Sequence, residues 1–266
     1  MAETQAFGGR WSLVTGGASG IGLACAQALA QEGSALVLLD VDAAGLAAAR
    51  SRLSPLGVAV ETREVDVSDA AALEAIAADL DARGVRVEHM VLAAGVLQPM
   101  HGIETLDLAV HERVWRINYH GSYHCCRLWG ERMRVAGRGA IVTVSSVTAQ
   151  RATPLLAYGP AKAALENLTA SLSVAYAPHG VRINAVAPGF TLTQALQDKI
   201  DAGLRDADAI LSQVPMGRFA TPQEIAASVR FLLSDQAAAV TGTTLVVDCG
   251  WLAGSGWQTY QPMPRR

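Results

Sequence analysis

Seven short runs of aliphatic and β-branched residues, separated by alanine-rich stretches, constrain this chain of 266 residues more than any other feature. They are WSLVT (11–15), ALVLLD (35–40), VAVETREVD (58–66), EHMVLAAG (88–95), GAIVTVSS (139–146), VRINAVAP (181–188) and TTLVVD (243–248). Most stay apolar at consecutive positions instead of alternating, as strands do when both faces of a parallel sheet are covered. The stretches between them, such as IGLACAQALAQEG, DAAGLAAARSRL, DAAALEAIAADLDARG and AKAALENLTASLSVAYAPHG, read as helices, several closed by a glycine. The expected architecture is α/β: a doubly wound, seven-stranded parallel sheet with helices on both faces.

No repeat, low-complexity linker or break in composition divides the chain, so a single domain over 1–266 is expected. Half of the residues are hydrophobic (51%), enough for a large core. A net charge of -3 leaves no basic excess for a nucleic acid or an anionic membrane. No stretch reaches the roughly twenty apolar residues that span a bilayer. The start, MAETQAFGGR, has no secretory apolar run, and Cys25, Cys125, Cys126 and Cys249 have neither CxxC pairing nor zinc spacing. These features suggest a reduced, cytoplasmic setting, no metal, and cysteines that serve as packing residues. Two stretches fit the rhythm poorly. Residues 189–215 form a long excursion of the kind used as a lid or binding loop, and the tail 251–266 reads as a free end or a strap across a neighbouring subunit.

Directly after the first run comes TGGASGIG (15–22), and then a helix. Glycines at 16, 20 and 22 let backbone N–H groups approach a pyrophosphate at the helix N-terminus. Asp40 closes the next strand about twenty residues on, where a carboxylate accepts from an adenosine ribose and repels a 2′-phosphate. With no arginine in the turn, NAD is favoured over NADP. Asp66 ends the third run and could meet the adenine edge or cap the following helix, for which Ser68 and Asp69 are better placed.

Further along, AYGPAKAAL (157–165) sets Tyr158 and Lys162 one helical turn apart on a single face, either as a proton-transfer device or as an ordinary surface pair. A free phenol, with a pKa near 10, is too weakly acidic to act as a base at neutral pH, and a nearby ammonium would lower that value.

Taken in order, TGGASGIG, AAG (93–95), Asn118 in RINYHG, VSS (144–146), YGPAK (158–162), PGFTLT (188–193) and TGTTLVVDCG make the chain resemble the classical short-chain dehydrogenase/reductase family from Trp11 to about Gly250. The resemblance implies a Rossmann-type fold with a cofactor half at about 11–120 and a catalytic and substrate half at about 121–250. It implies hydride transfer between a secondary alcohol, such as a polyol, and a nicotinamide. Tyr158 would be general acid/base, Lys162 its tuning group and ribose ligand, Ser146 the group polarising the substrate oxygen, and Asn118 the support of a proton-relay water. Ser145 would turn inward, since adjacent strand residues face opposite ways. Around the cofactor it sets Gly16, Ser19, Gly20, Ile21, Gly22, Asp40, Asp66, Val67, Ala94, Gly95, Pro188, Gly189 and Thr193, with Tyr158 and Lys162.

Three departures stand out. Leu92 and Ala93 replace the asparagines that usually precede AG, removing a brace; the Ser146 to Tyr158 spacing is one residue short; and Cys249 replaces a frequent glycine. Leu97, Leu155, Leu156, Phe190 and Leu192 suggest an apolar substrate pocket, Arg151 the one charge that could meet an acidic substrate, and Trp251 and Trp257 a wall or simple packing. The family's assembly implies a homotetramer, or a homodimer, through the helices containing 107–137 and 155–177. The competing readings are an NADP-dependent carbonyl reductase and a catalytically silent dinucleotide-binding regulator.

Overall fold

A computed structural model describes residues 6–254 and 257. β1 (Trp11–Thr15), β2 (Ala35–Asp40), β3 (Val60–Glu64), β4 (Val87–Leu92), β5 (Gly139–Val144), β6 (Val181–Pro188) and β7 (Thr244–Val247) form one sheet in the order β3-β2-β1-β4-β5-β6-β7. All neighbouring pairs are parallel. The direction of winding reverses between β1 and β4, and a crevice opens there at the carboxyl ends of the strands.

The continuous apolar runs are explained by what covers each face. Along β2, Leu36 and Leu38 enter one layer with Val14, Leu29, Ile225 and Leu232, while Val37 and Leu39 enter the other with Leu13, Leu73, Leu80 and Trp129. A one-residue slip of register would exchange those layers, so the pattern fixes the pairing. α1 (Gly20–Gln31) and the helix Pro222–Leu233 cover the first face. The helix Ala70–Ala82 and the helical run 108–136 cover the second. Asp69 caps the helix Ala70–Ala82 by accepting from the N–H groups of Ala71 and Ala72.

Several strands are shorter than their apolar runs. β3 ends at Glu64, β4 at Leu92, β5 at Val144 and β7 at Val247, because the following residues leave the sheet to build the crevice. Asp66 turns out by accepting from the N–H of Ser68 (2.8 Å). Within 108–136 the backbone widens to π-type turns at Arg116–Gly121 and Cys126–Gly130. Asn118 lies in the first, where its Nδ2 donates to the Val114 carbonyl one turn back (2.9 Å); such widened turns concentrate at functional sites.

The 189–215 excursion folds into two short helices, Gln194–Asp201 and Ala207–Leu211, neither of which fully buries a residue. It is anchored at its ends, where Thr191 bridges Ala220 and Val214 is buried. In the tail, residues 255, 256 and 258–266 lie outside the described residues, so the strap reading cannot be placed there. Trp257 is exposed, at 67%, and forms no wall. Cys25, Cys125 and Cys126 are buried, and burial alone pushes the Cys25 and Cys126 thiols up to about 12, as packing residues require.

Candidate active site

The glycine turn after β1 is built by steric exclusion. Gly16 and Gly20 have φ of 68° and 54°, a region that L side chains avoid. A Cβ on Gly22 would fall on the carbonyl oxygen of Gly16, and one on Gly16 would stand 3.0 Å from the backbone of Ala94. The turn, with Ser19 and Ile21, forms one wall of a cleft of about 370 Å³. Asp40 and Val41 extend the wall from β2, Asp66 and Val67 from β3, and Ala94 and Gly95 from β4. Thr193 closes the cleft from above, its methyl 3.5 Å from where a Gly20 Cβ would stand, while its hydroxyl caps the helix Gln194–Asp201. Pro188 and Gly189 lie outside this lining, at the end of β6, where Gly189 packs against Asp248 so closely that a Cβ would be 2.6 Å from its neighbour.

Asp40 is held in place by its own backbone contacts. Its Oδ2 accepts from the N–H of Ala18 in the glycine turn (3.0 Å) and its Oδ1 from that of Asp42 (3.1 Å). Each oxygen keeps a further lone pair for a hydroxyl. Thr15 supplies the brace that the missing asparagines would have given: its Oγ1 accepts from the N–H of Ala94 (3.1 Å), tying β1 to the end of β4.

The second cluster meets the cleft at Gly95. A Cβ there would stand 2.6 Å from Asn118 Oδ1 and 3.5 Å from Lys162 Nζ, so both polar groups approach through the space that glycine leaves open. Asn118 is fully buried; its Nδ2 also donates to the Val96 carbonyl (2.9 Å), and its Oδ1 has no partner among the described residues. Lys162 donates to the Val144 carbonyl (2.7 Å) and lies 5.6 Å from the ring centre of Tyr158. Ser146 accepts from Thr148 through both its N–H (3.2 Å) and its hydroxyl (3.0 Å). Ser145, just past the end of β5, donates to Glu166 (2.8 Å).

Electrostatics depart from the simple expectation for the tyrosine. Burial pushes the Tyr158 phenol up to about 12, with the nearby Ser146 hydroxyl working in the other direction. Burial also brings Lys162 down to about 8.

On the substrate side, Arg151 rests over the Trp251 ring (4.9 Å) and Trp251 meets Phe190 edge-on (5.8 Å between ring centres). Trp251 and Phe190 thus pack against each other, with Arg151 stacked on the indole. Leu155 and Leu156 line a separate cavity of about 410 Å³ under the 148–156 loop, whereas Leu97 is half exposed. Sequence reasoning missed Thr15, Arg113 and Ile117, the latter two also lining the cleft. It also missed Gln98, a lone loop glutamine with no periodic signal.

A glycine turn at a helix N-terminus, an acid at the end of β2 and buried polar groups at one end of the cleft fit a dinucleotide-dependent oxidoreductase. The chain belongs to the classical short-chain dehydrogenase/reductase family, which uses a nicotinamide dinucleotide. Residues 16–252 match the family model described as enoyl-(acyl carrier protein) reductase. The chain is 38% identical over 251 residues to galactitol 2-dehydrogenase of Rhizobium johnstonii, covering 91% of this chain and 95% of that protein. It is 38% identical over 252 residues to cis-4-hydroxycyclohexanecarboxylate dehydrogenase of Sinomonas cyclohexanicum, with 94% and 99% covered. Among solved structures, one titled ribose-5-phosphate isomerase from Brucella melitensis 16M superposes with a TM-score of 0.91 at 36% identity, over 99% of this chain and 100% of that one. Levodione reductase superposes with a TM-score of 0.88 at 33% identity, over 93% and 99%. At this level the chain is an oxidoreductase acting on alcohol CH–OH groups and their ketones. The activities of these relatives differ across one fold, so the finer reading rests on the site.

Proposed function

We propose that the protein is an NAD-dependent dehydrogenase that interconverts a secondary alcohol, a polyol or cyclic hydroxy compound, with its ketone. The observation that carries this reading is the approach of Asn118 and Lys162 to Gly95, which brings the Tyr158 cluster to the end of the dinucleotide cleft. Gly16, Ser19, Gly20, Ile21 and Gly22 would hold the pyrophosphate, and Asp40 the adenosine ribose, with Asp66 and Val67 beside the adenine. The backbone around Ala94 and Gly95 would pass the adenosine ribose, and Thr193 would meet the nicotinamide carboxamide, with Pro188 and Gly189, outside the cleft lining, leading into that segment. Bound there, the nicotinamide supplies the hydride chemistry.

The chain's own groups manage the proton and the geometry. Tyr158 gives a proton to the ketone oxygen or takes one from the alcohol, and Ser146 orients that oxygen. Lys162, mostly protonated at neutral pH with its value near 8, favours the phenolate in the transition state while donating to Val144. Asn118 Oδ1, without a partner among the described residues, would accept from a water relaying the proton outward. With its phenol raised to about 12, Tyr158 holds its proton at pH 7. Alcohol oxidation requires its loss and so accelerates as pH rises from 7 to 10, while ketone reduction does not.

Asp40 favours NAD over NADP, since its negative charge would repel a ribose 2′-phosphate and no arginine in the turn offsets it. Val135, Val174 and Tyr123 expose apolar surface on the run 108–136 and the helix Tyr158–Tyr176, which supports assembly into a homotetramer; sedimentation finding only monomer would remove that part.

The test is titration with NAD(H) and NADP(H), followed by assay of galactitol, threitol and cis-4-hydroxycyclohexanecarboxylate at the reduced-nicotinamide absorbance. Preferential NAD(H) binding with turnover supports the reading, and NADP(H) preference would make the chain a carbonyl reductase. Tyr158→Phe should cost about 10²- to 10⁴-fold in turnover with dinucleotide binding retained. Tight NAD(H) binding with no turnover across the panel would favour the silent regulator.

A further inference from the structure

Gln98 does something that neither fold nor cofactor binding requires. The helix Tyr158–Tyr176 begins without a side-chain cap of its own, Ala157 having no acceptor to offer. Its first N–H groups are satisfied from sixty residues away: Gln98 Oε1 accepts from Ala157 N (2.5 Å) and from Tyr158 N (2.9 Å). Gln98 is 6% exposed, while its neighbour Leu97 is 50% exposed, so the amide is the side chain turned inward. Its Nε2 is buried with no partner among the described residues. A buried amide donor left unpaired is costly, and an apolar residue would avoid that cost.

The loop that carries Gln98 makes three consecutive attachments. Ala94 and Gly95 line the dinucleotide cleft, the Val96 carbonyl is held by Asn118 Nδ2, and Gln98 holds the amide of Tyr158. One short segment therefore touches the cofactor cleft, the relay asparagine and the proton carrier in turn.

We propose that Gln98 is a positioning residue for Tyr158: it couples the cofactor-lining loop to the first turn of the catalytic helix and so sets the phenol relative to the reacting carbon. This rests on the proposed function, since only a proton carrier at Tyr158 needs such placement. A helix start displaced by a fraction of its N–H bond length would swing the phenol at the far end of its side chain, and misplacement of about 1 Å costs on the order of 10²-fold.

The test compares Gln98→Met and Gln98→Glu. Met removes the acceptor at similar size; Glu keeps an acceptor oxygen in either protonation state at a helix N-terminus that favours it. The expected result is a kcat reduced roughly 10- to 100-fold in Gln98→Met, an unchanged KM and dissociation constant for NAD, and recovery of most of kcat in Gln98→Glu. A merely structural brace would lower thermal stability and leave kcat of the folded fraction unchanged, which overturns the proposal, as does equal loss of kcat in both variants. Amide hydrogen exchange of the peptide containing Ala157 and Tyr158 is measured on the same proteins. If the wild type turns over nothing on the panel, the proposed function fails by itself; faster exchange there in Gln98→Met but not Gln98→Glu then supports the coupling, and unchanged exchange overturns it.

Discussion

The glycine turn at 15–22 and the excursion at 189–215 face each other across one cleft and are built on opposite principles. In the turn, nearly every position is decided by backbone: Gly22 abuts the Gly16 carbonyl, Gly16 abuts Ala94, and Ala18 donates to Asp40. In the excursion, the helices Gln194–Asp201 and Ala207–Leu211 bury no residue fully, and the segment is held at its ends. The first arrangement accepts one ligand shape and resists substitution. The second leaves a surface that can change its side chains without disturbing the fold, which is where a family sharing one chemistry varies its substrates.

The sharpest way to break this comparison is Gly22→Ala. The new Cβ meets the Gly16 carbonyl, a backbone atom that cannot rotate away, so the turn must open. Binding of NAD(H), read by calorimetry, should weaken by 100-fold or more, on the scale of about 3 kcal/mol expected for strained backbone, with a lower Tm. Undiminished binding would show that the turn is more pliant than its contacts indicate.

Next in size is Asp40→Ala. Loss of a charge-assisted hydrogen bond removes about 1.5–3 kcal/mol, so affinity for NAD should fall by about 10- to 100-fold while affinity for NADP rises with the repulsion gone. The ratio of the two dissociation constants is the measurement. A ratio that stays put would mean that Asp40 serves only its bonds to Ala18 and Asp42.

Cys249 lies where the two principles meet, its carbonyl accepting from the N–H of Met216 at the end of the excursion. It is the one non-glycine residue with positive φ among the described residues, at 55°. Cys249→Gly should relieve that strain and raise stability by roughly 0.5–1 kcal/mol, the gain being limited by the freedom glycine adds to the unfolded chain. A denaturant midpoint that moves down instead would mean that the half-buried thiol contributes more packing than its backbone costs.

The same division explains what could be read from the chain. The sheet was legible because Leu36 to Leu39 must satisfy two layers at once, and the cofactor end because Gly16, Gly20 and Gly22 have no substitutes. Tyr158 and Lys162 were legible through helical spacing. Strand ends were overrun at Ala93–Gly95 and Ser145–Ser146, since residues leaving a sheet for a cleft can be as small and apolar as those within it. Thr15 and Gln98 went unseen for another reason: each acts on a backbone N–H far along the chain, at Ala94 and at Ala157 and Tyr158, and local pattern records nothing of such a partner. The phenol's rise to about 12 was equally hidden, because desolvation depends on everything that surrounds the ring.

The smallest expected effect tests the excursion itself. Leu192 is 38% exposed at its start, one residue before Thr193, which reaches over the glycine turn. Leu192→Ser removes an apolar group that is more than half covered, so folding should lose about 1–2 kcal/mol, and the smaller, functional effect is the informative one. Affinity for NAD should hold, because the Thr193 hydroxyl and backbone are untouched. If the excursion forms the substrate lip, KM for the alcohol should rise a few-fold with kcat little changed, the signature of lost uniform binding. A fall in NAD affinity equal to the rise in KM would instead make the excursion part of the cofactor site, and the two regions would then be one structure with a single principle.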